Sequence, residues 1–192
     1  MSRAAATIKR VKLELGGKSP LIVFDDADIH KAAVVAAIMG SLNSGQFCAA
    51  PTRFFVHEKV HDQFLEEVLK VVKSHNYGRW NEPGVFNGPL ISQKQMEKVL
   101  SYIKSGIDEG ANLVTGGKQI QRPGYFVEPT IFTNCTDEMK IVKDEIFGPV
   151  MSILKFSDTE EVIKRANNSR YGLSGGIFSN NQRTCHHVAK NL

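Results

Sequence analysis

The chain has 192 residues, enough for one domain of ordinary size to bury a core without disulfides or metals, and no second complete domain fits. Its 42% apolar and 23% charged composition is that of a soluble globular protein, and no run approaches the roughly 18 to 20 apolar residues of a membrane span. The formal charge of +4, from 24 basic and 20 acidic residues without a block of like sign, argues against nucleic acid, which calls for a concentrated basic face.

The opening Met1-Ser2-Arg3-Ala4-Ala5-Ala6, followed by Lys9, Arg10 and Lys12, lacks the apolar centre of a secretory signal, so the expected location is cytoplasmic. Cys48, Cys135 and Cys185 are widely spaced and odd in number, which fits a reducing compartment and excludes a disulfide scaffold. There is no Cys-x-x-Cys pair, and adjacent His186 and His187 point apart on a helix, so no metal site is expected.

In chain order, a strand is predicted around Val11 to Leu15, a Gly16-Gly17 turn follows, and Leu21 to Phe24 forms a second strand. Asp25, Asp26 and Asp28 offer N-cap acceptors for a buried, Ala-rich helix from Ala27 to about Leu42. A short loop with Gly45 and Cys48 leads past Pro51, which stops any helix, into a strand Arg53 to His57. Lys59 to Ser74 has apolar residues at helical spacing, and Asn76 to Asn87, with Gly78, Pro83 and Gly84, reads as a mobile surface loop. Ser92 caps a helix running to about Gly110. Strands follow at Ala111 to Thr115, ended by Gly116-Gly117, and at Tyr125 to Phe132, where Pro129 suggests an edge or a break. Gly116-Gly117 lacks the strand-to-helix context of a phosphate loop. Met139 to Glu145 is a short helix and Val150 to Phe156 a strand; Asp158 starts a helix through Ala166, Gly172 to Phe178 is a strand, and Gln182 to Leu192 is the last helix. This alternation predicts an α/β fold, a largely parallel, Rossmann-like sheet with helices on both faces and the ligand at the carboxyl ends of the strands.

Three stretches carry chemistry. Ser44-Gly45-Gln46-Phe47-Cys48 sets a lone thiol on a turn between a helix and a strand, which suits a nucleophile with a base in reach and equally suits a small buried hydrophobe. Glu14-Leu15-Gly16-Gly17-Lys18 places an acid before two glycines that let the backbone approach a flat ligand, or that simply make a turn. Glu145-Ile146-Phe147-Gly148-Pro149 puts an acid and an aromatic beside a second turn. These segments, in this order and at this separation, resemble the Glu-Leu-Gly-Gly-Lys, Gly-Gln-x-Cys and Glu-x-Phe-Gly-Pro motifs of the aldehyde dehydrogenase superfamily. Further similar text runs through Phe24 to Asp28, Gly88 to Ile91, Gly124 to Thr130 and Ala166 to Leu173, covering nearly the whole chain. One departure is Ser41, seven positions before the cysteine, where the family has a large apolar residue; it reads as a packing or substrate-tunnel difference.

The resemblance implies oxidation of an aldehyde with NAD, or NADP, through a thioester on Cys48, with Glu14 as base. It assigns Glu145 and Phe147 to the nicotinamide ribose, Leu15 and Gly16 to the same cleft, and Gln95 and Lys98 to the adenosine side, where a solvated helix face is the competing reading. It further implies a partial catalytic domain over residues 1–192: the family's cofactor-binding fold lies upstream of Glu14, where only 13 residues stand, and its oligomerisation segment lies downstream. Family members are typically homo-oligomers. A chain without those parts also fits a catalytically silent homologue that serves as a structural or interaction partner.

Overall fold

The computed structural model describes all residues 1–192. A single turn, α1 (Ser2–Ala5), precedes an extended stretch that joins no sheet. Val11, Leu13 and Leu15 in it are 46%, 56% and 63% exposed, so the strand predicted there is absent. Its alternating pattern sets an extended backbone, but a strand needs a neighbour to take its hydrogen bonds, and none lies alongside.

β1 (Ser19–Val23) is buried along its whole length and leads to α2 (Ile29–Ser41), whose N-cap Asp28 accepts from the Lys31 N–H at 3.0 Å. A tight turn, Leu42–Gly45, then feeds β2 (Pro51–His57), and α3 (His61–Ser74) follows. The expected surface loop instead contains β3 (Asn76–Tyr77) and β4 (Val85–Asn87), a small parallel pair. α4 (Gln93–Asp108) is capped as predicted, the Ser92 hydroxyl accepting from the Gln95 N–H at 3.2 Å. β5 (Asn112–Thr115) pairs antiparallel with β6 (Thr130–Thr133). The strand predicted from Tyr125 begins only after Pro129, which has no N–H to give a ladder; before it, Val127 makes a lone bridge to Gln119. α5 (Lys140–Lys143), β7 (Val150–Phe156), α6 (Thr159–Asn167), β8 (Gly176–Phe178) and α7 (Gln182–Asn191) complete the chain.

The main sheet runs β5-β6-β7-β2-β1-β8 and is parallel except for β5 against β6. Strand alternation separates two cores. Leu21, Val23, Phe54, Val56, Met151 and Ile153 face α2 and α3, where Ala32, Ala33, Ala36 and Ala37 allow close helix packing. Ile22, Phe55, Leu154 and Phe156 face the other way, toward Val99 and Ile103 of α4 and Val162 of α6. Helices therefore cover both faces, as the alternation of strands and helices along the chain predicted.

Candidate active site

The three motif segments all lie in connections that lead into strands: Gly16-Gly17 before β1, Cys48 before β2, and Glu145 to Pro149 before β7. Because these strands are parallel, the segments meet at their amino ends, which corrects the expectation of a site at the carboxyl ends. The carboxyl-end rule rests on helices that start just after strands. Here packing of three incoming loops sets the location.

Main-chain contact joins the segments. The Gly17 N–H donates to Glu145 Oε1 at 2.9 Å. A Cβ on Gly17 would lie 2.2 Å from the Cys48 carbonyl oxygen, and one on Gly16 would lie 2.6 Å from Glu145 Oε2. Gly45, in the left-handed region at φ +71°, faces the Gly148 carbonyl, where a Cβ would come within 2.1 Å. At Gly17 and Gly45 no other residue fits without displacing backbone.

The turn before Cys48 runs through three consecutive left-handed residues, Asn43, Ser44 and Gly45. Such a run costs on the order of 1–2 kcal/mol per non-glycine residue and persists only under external bracing. Asn87 on β4 supplies much of the bracing: its Oδ1 accepts from the Ser44 N–H at 3.1 Å, and its Nδ2 donates to the Ser41 carbonyl at 2.7 Å. The Ser44 hydroxyl donates to the Gly88 carbonyl at 2.6 Å, and Gln46 Oε1 accepts from the Ile91 N–H at 2.8 Å. The region expected to be mobile is thus the brace of the cysteine loop. Ser41 itself is buried, its hydroxyl donating to the Ala37 carbonyl at 2.6 Å, so it occupies a packing position. On the other side, the Ser174 hydroxyl donates to the Ala49 carbonyl at 3.2 Å.

Phe147 is also left-handed, at φ +60°. Gln95 Nε2 donates to the carbonyls of Ile146 at 3.0 Å and Phe147 at 2.8 Å, and Lys98 Nζ donates to the Glu145 carbonyl at 3.2 Å. Both α4 side chains, read from the sequence as cofactor contacts or solvated residues, are therefore engaged in holding this segment.

Glu14 stands apart. It is exposed, ion-paired with Lys12 at 2.7 Å, and makes no hydrogen bond to Cys48. Leu15 borders a cavity of about 310 Å³ with Gly16, Tyr171 and Leu173. All three thiols are half-buried, and burial pushes the Cys135 thiol up to about 12. Sequence reasoning missed Lys18, whose Nζ is buried without a hydrogen-bond partner; burial first, and Arg53 second, lower it to about 7. Arg53 is buried too, donating from Nε to the Lys18 carbonyl at 2.8 Å and from Nη2 to the Ala166 carbonyl at 2.8 Å. No helix is long and apolar enough to cross a membrane.

The fold is an α/β domain whose mostly parallel sheet carries, at one end, the Cys48 loop packed against the turn of Glu145 and Phe147. A model of the aldehyde dehydrogenase family matches residues 1–192, and the chain belongs to that family. It is 52% identical over 189 residues to aldehyde dehydrogenase family 2 member B4, mitochondrial, of Arabidopsis thaliana, an alignment covering 98% of this chain and 35% of that protein. It is similar, at a TM-score of 0.94 and 47% identity, to the aldehyde dehydrogenase of Bacillus cereus solved as its NAD+ complex, covering 100% of this chain and 39% of that one. The aldehyde dehydrogenase KauB from Pseudomonas aeruginosa matches at a TM-score of 0.95 and 43% identity, with 100% of this chain and 40% of that chain covered. The chain thus spans well under half the length of these relatives.

Proposed function

We propose that these residues form the thiol half of an NAD-dependent aldehyde dehydrogenase, oxidising an aldehyde to a carboxylic acid. The observation that carries this is the meeting at Gly17 of the Glu145 carboxylate and the Cys48 main chain, which puts nucleophile and candidate cofactor residues at one point. In this reading Cys48 Sγ, as thiolate, bonds to the aldehyde carbon, and the resulting oxyanion takes a hydrogen bond from the Cys48 N–H. Such donors contribute on the order of 100-fold or more in rate elsewhere. NAD, held on the Glu145 and Phe147 side, would supply the hydride acceptor for that carbon, which is then left as a thioester on Cys48. Water then adds to the thioester carbon, the C–S bond breaks, and the acid and thiol are released.

Glu145 fits the cofactor assignment: Oε1 is taken by the Gly17 N–H, while Oε2 has no hydrogen bond and is available to a ribose hydroxyl. Phe147 would bear on the nicotinamide ring, with Leu15 and Gly16 alongside. Gln95 and Lys98 act through the backbone of that segment. NADP would use the same nicotinamide-side residues. Glu14 is assigned as base from its place in the Glu-Leu-Gly-Gly-Lys sequence, and reaching Cys48 requires the preceding segment to swing inward about the glycine pair. The three unpaired thiols favour a cytoplasmic or other reducing setting.

The test is to exchange residues 1–192 into the matching span of a full-length family member and to follow NADH formation from several aldehydes. Turnover that Cys48→Ala abolishes, and that Glu14→Gln slows after a rapid first turnover, supports the reading. Turnover persisting in Cys48→Ala contradicts it.

A further inference from the structure

The turn that leads to Cys48 holds Asn43 and Ser44 at φ +53° and +55°, in the left-handed region that residues with side chains avoid. Four residues on, that conformation decides where the Cys48 thiol and the Cys48 N–H point. The N–H has no hydrogen-bond partner within the chain and is free to meet an oxyanion. Two main-chain groups of the turn, the Ser44 N–H and the Ser41 carbonyl, end on a single side chain, Asn87. Asn87 is 2% exposed, and both ends of its amide are engaged: Oδ1 accepts from Ser44, while Nδ2 donates to Ser41 and, at 3.3 Å, to the Tyr77 hydroxyl.

The support is itself anchored. β3 and β4 pair with Tyr77 opposite Asn87, and the Gly78 N–H donates to the Asn87 carbonyl at 3.0 Å. From outside, Arg122 donates to the Tyr77 carbonyl at 2.8 Å and to Glu82 Oε1 at 2.6 Å, with its guanidinium 4.9 Å from the centre of the Phe126 ring. A clamped pair of strands can hold a strained turn in place. We propose that Asn87 is the positioning residue of Cys48, fixing the turn so that thiol and N–H stand at one attack geometry. This rests on Cys48 being the nucleophile, as proposed above. The demand is specific, because the turn needs an acceptor and a donor from one short side chain. Leucine supplies neither, aspartate loses the donor once ionised, and a protonated aspartic acid again offers both.

The experiment compares variants in the full-length family member that carries residues 1–192. Asn87→Leu should lower kcat about 10-fold or more while the KM for NAD stays within about 2-fold, since the nucleophile is displaced and the cofactor side is not. Asn76→Ala, on the same small sheet but exposed and bonded only to the Gly84 carbonyl at 3.4 Å, should keep kcat within about 2-fold of wild type. Burial favours the neutral acid, so the kcat of Asn87→Asp relative to wild type should rise as pH falls from about 8.5 to about 6. His75 and Tyr77, the titratable groups nearby, are common to both proteins, so the ratio isolates residue 87. Should Asn87→Leu fail to fold by circular dichroism, the acid recovery of Asn87→Asp decides alone. A kcat unchanged in folded Asn87→Leu, a loss carried by the KM for NAD, or a ratio flat with pH would overturn the proposal. Turnover that survives Cys48→Ala would instead count against the nucleophile assignment, so the two failures are read from different variants.

Discussion

The Gly17 N–H and the Glu145 carboxylate, separated by 128 positions in sequence, form a hydrogen bond of 2.9 Å that ties the glycine pair before β1 to the turn before β7. The same glycine rests against the Cys48 carbonyl, so one residue without a side chain is the point at which three loops touch.

Substituting the glycines should therefore rank by geometry. Gly45→Ala adds a left-handed penalty to a contact at 2.1 Å and should cost the most, above about 3 kcal/mol; Gly17→Ala, with its contact at 2.2 Å, should cost about 1–3 kcal/mol. Gly172→Ala meets nothing within 4 Å and should stay within about 0.5 kcal/mol of wild type. Urea unfolding of the three variants checks the order; equal midpoints would contradict it.

Gln95 should matter more than Lys98. Gln95→Met leaves two carbonyls, one on buried Ile146, without their donor and should destabilise by about 1–3 kcal/mol. Lys98 is exposed, and water replaces its single bond, so Lys98→Met should cost less than about 0.5 kcal/mol. Denaturant melts of both variants supply the comparison, and a Lys98→Met loss as large as that of Gln95→Met would go against it.

Lys18 gives the fold a pH dependence. Its ordinary value of 10.5 falls to about 7 on burial, so between those values the unfolded chain holds a proton that the folded chain does not. Stability from this group is complete above 10.5 and is lost as pH falls through about 7. Arg53, at about 10, and Cys135, raised from 9.0 to about 12, titrate largely above pH 9, and His75, lowered from 6.5 by burial, acts only at the bottom of the range; all three are common to wild type and variant. Lys18→Met should therefore exceed wild type in stability at pH 6.5, with the difference shrinking by about 1–2 kcal/mol by pH 9. Parallel melts at the two pH values decide this, a constant difference being the contrary result.

Much of the architecture was legible in the residues. The largely apolar run Val150 to Phe156, the acids at Asp28 and Asp158, and the hydroxyl of Ser92 each specify a strand or helix start locally, and each stands where local chemistry puts it. The meeting of the Gly16-Gly17, Cys48 and Glu145 segments was legible only as similar text, since nothing local says that distant loops touch. Asn87 was not legible: a polar residue in a Gly- and Pro-rich stretch reads as solvated, and its value as a brace depends on the left-handed turn it faces. Val11 to Leu15 shows the opposite limit, because alternation favours an extended backbone but does not supply a partner strand, and none pairs with this segment.

The central claim, that Cys48 is the reactive nucleophile, is tested most directly by labelling the chain with a limiting amount of an aldehyde-like electrophile and locating the adduct by mass spectrometry. Cys135 should be slowest, since its buried thiol, at about 12, has almost no thiolate near neutral pH. Cys185 Sγ is held at 3.5 Å from the Ser179 carbonyl, which should slow it as well. The predicted result is an adduct on Cys48 that appears first and is lost in Cys48→Ala without transferring to the other two; equal labelling of all three thiols, or Cys185 reacting first, would contradict it.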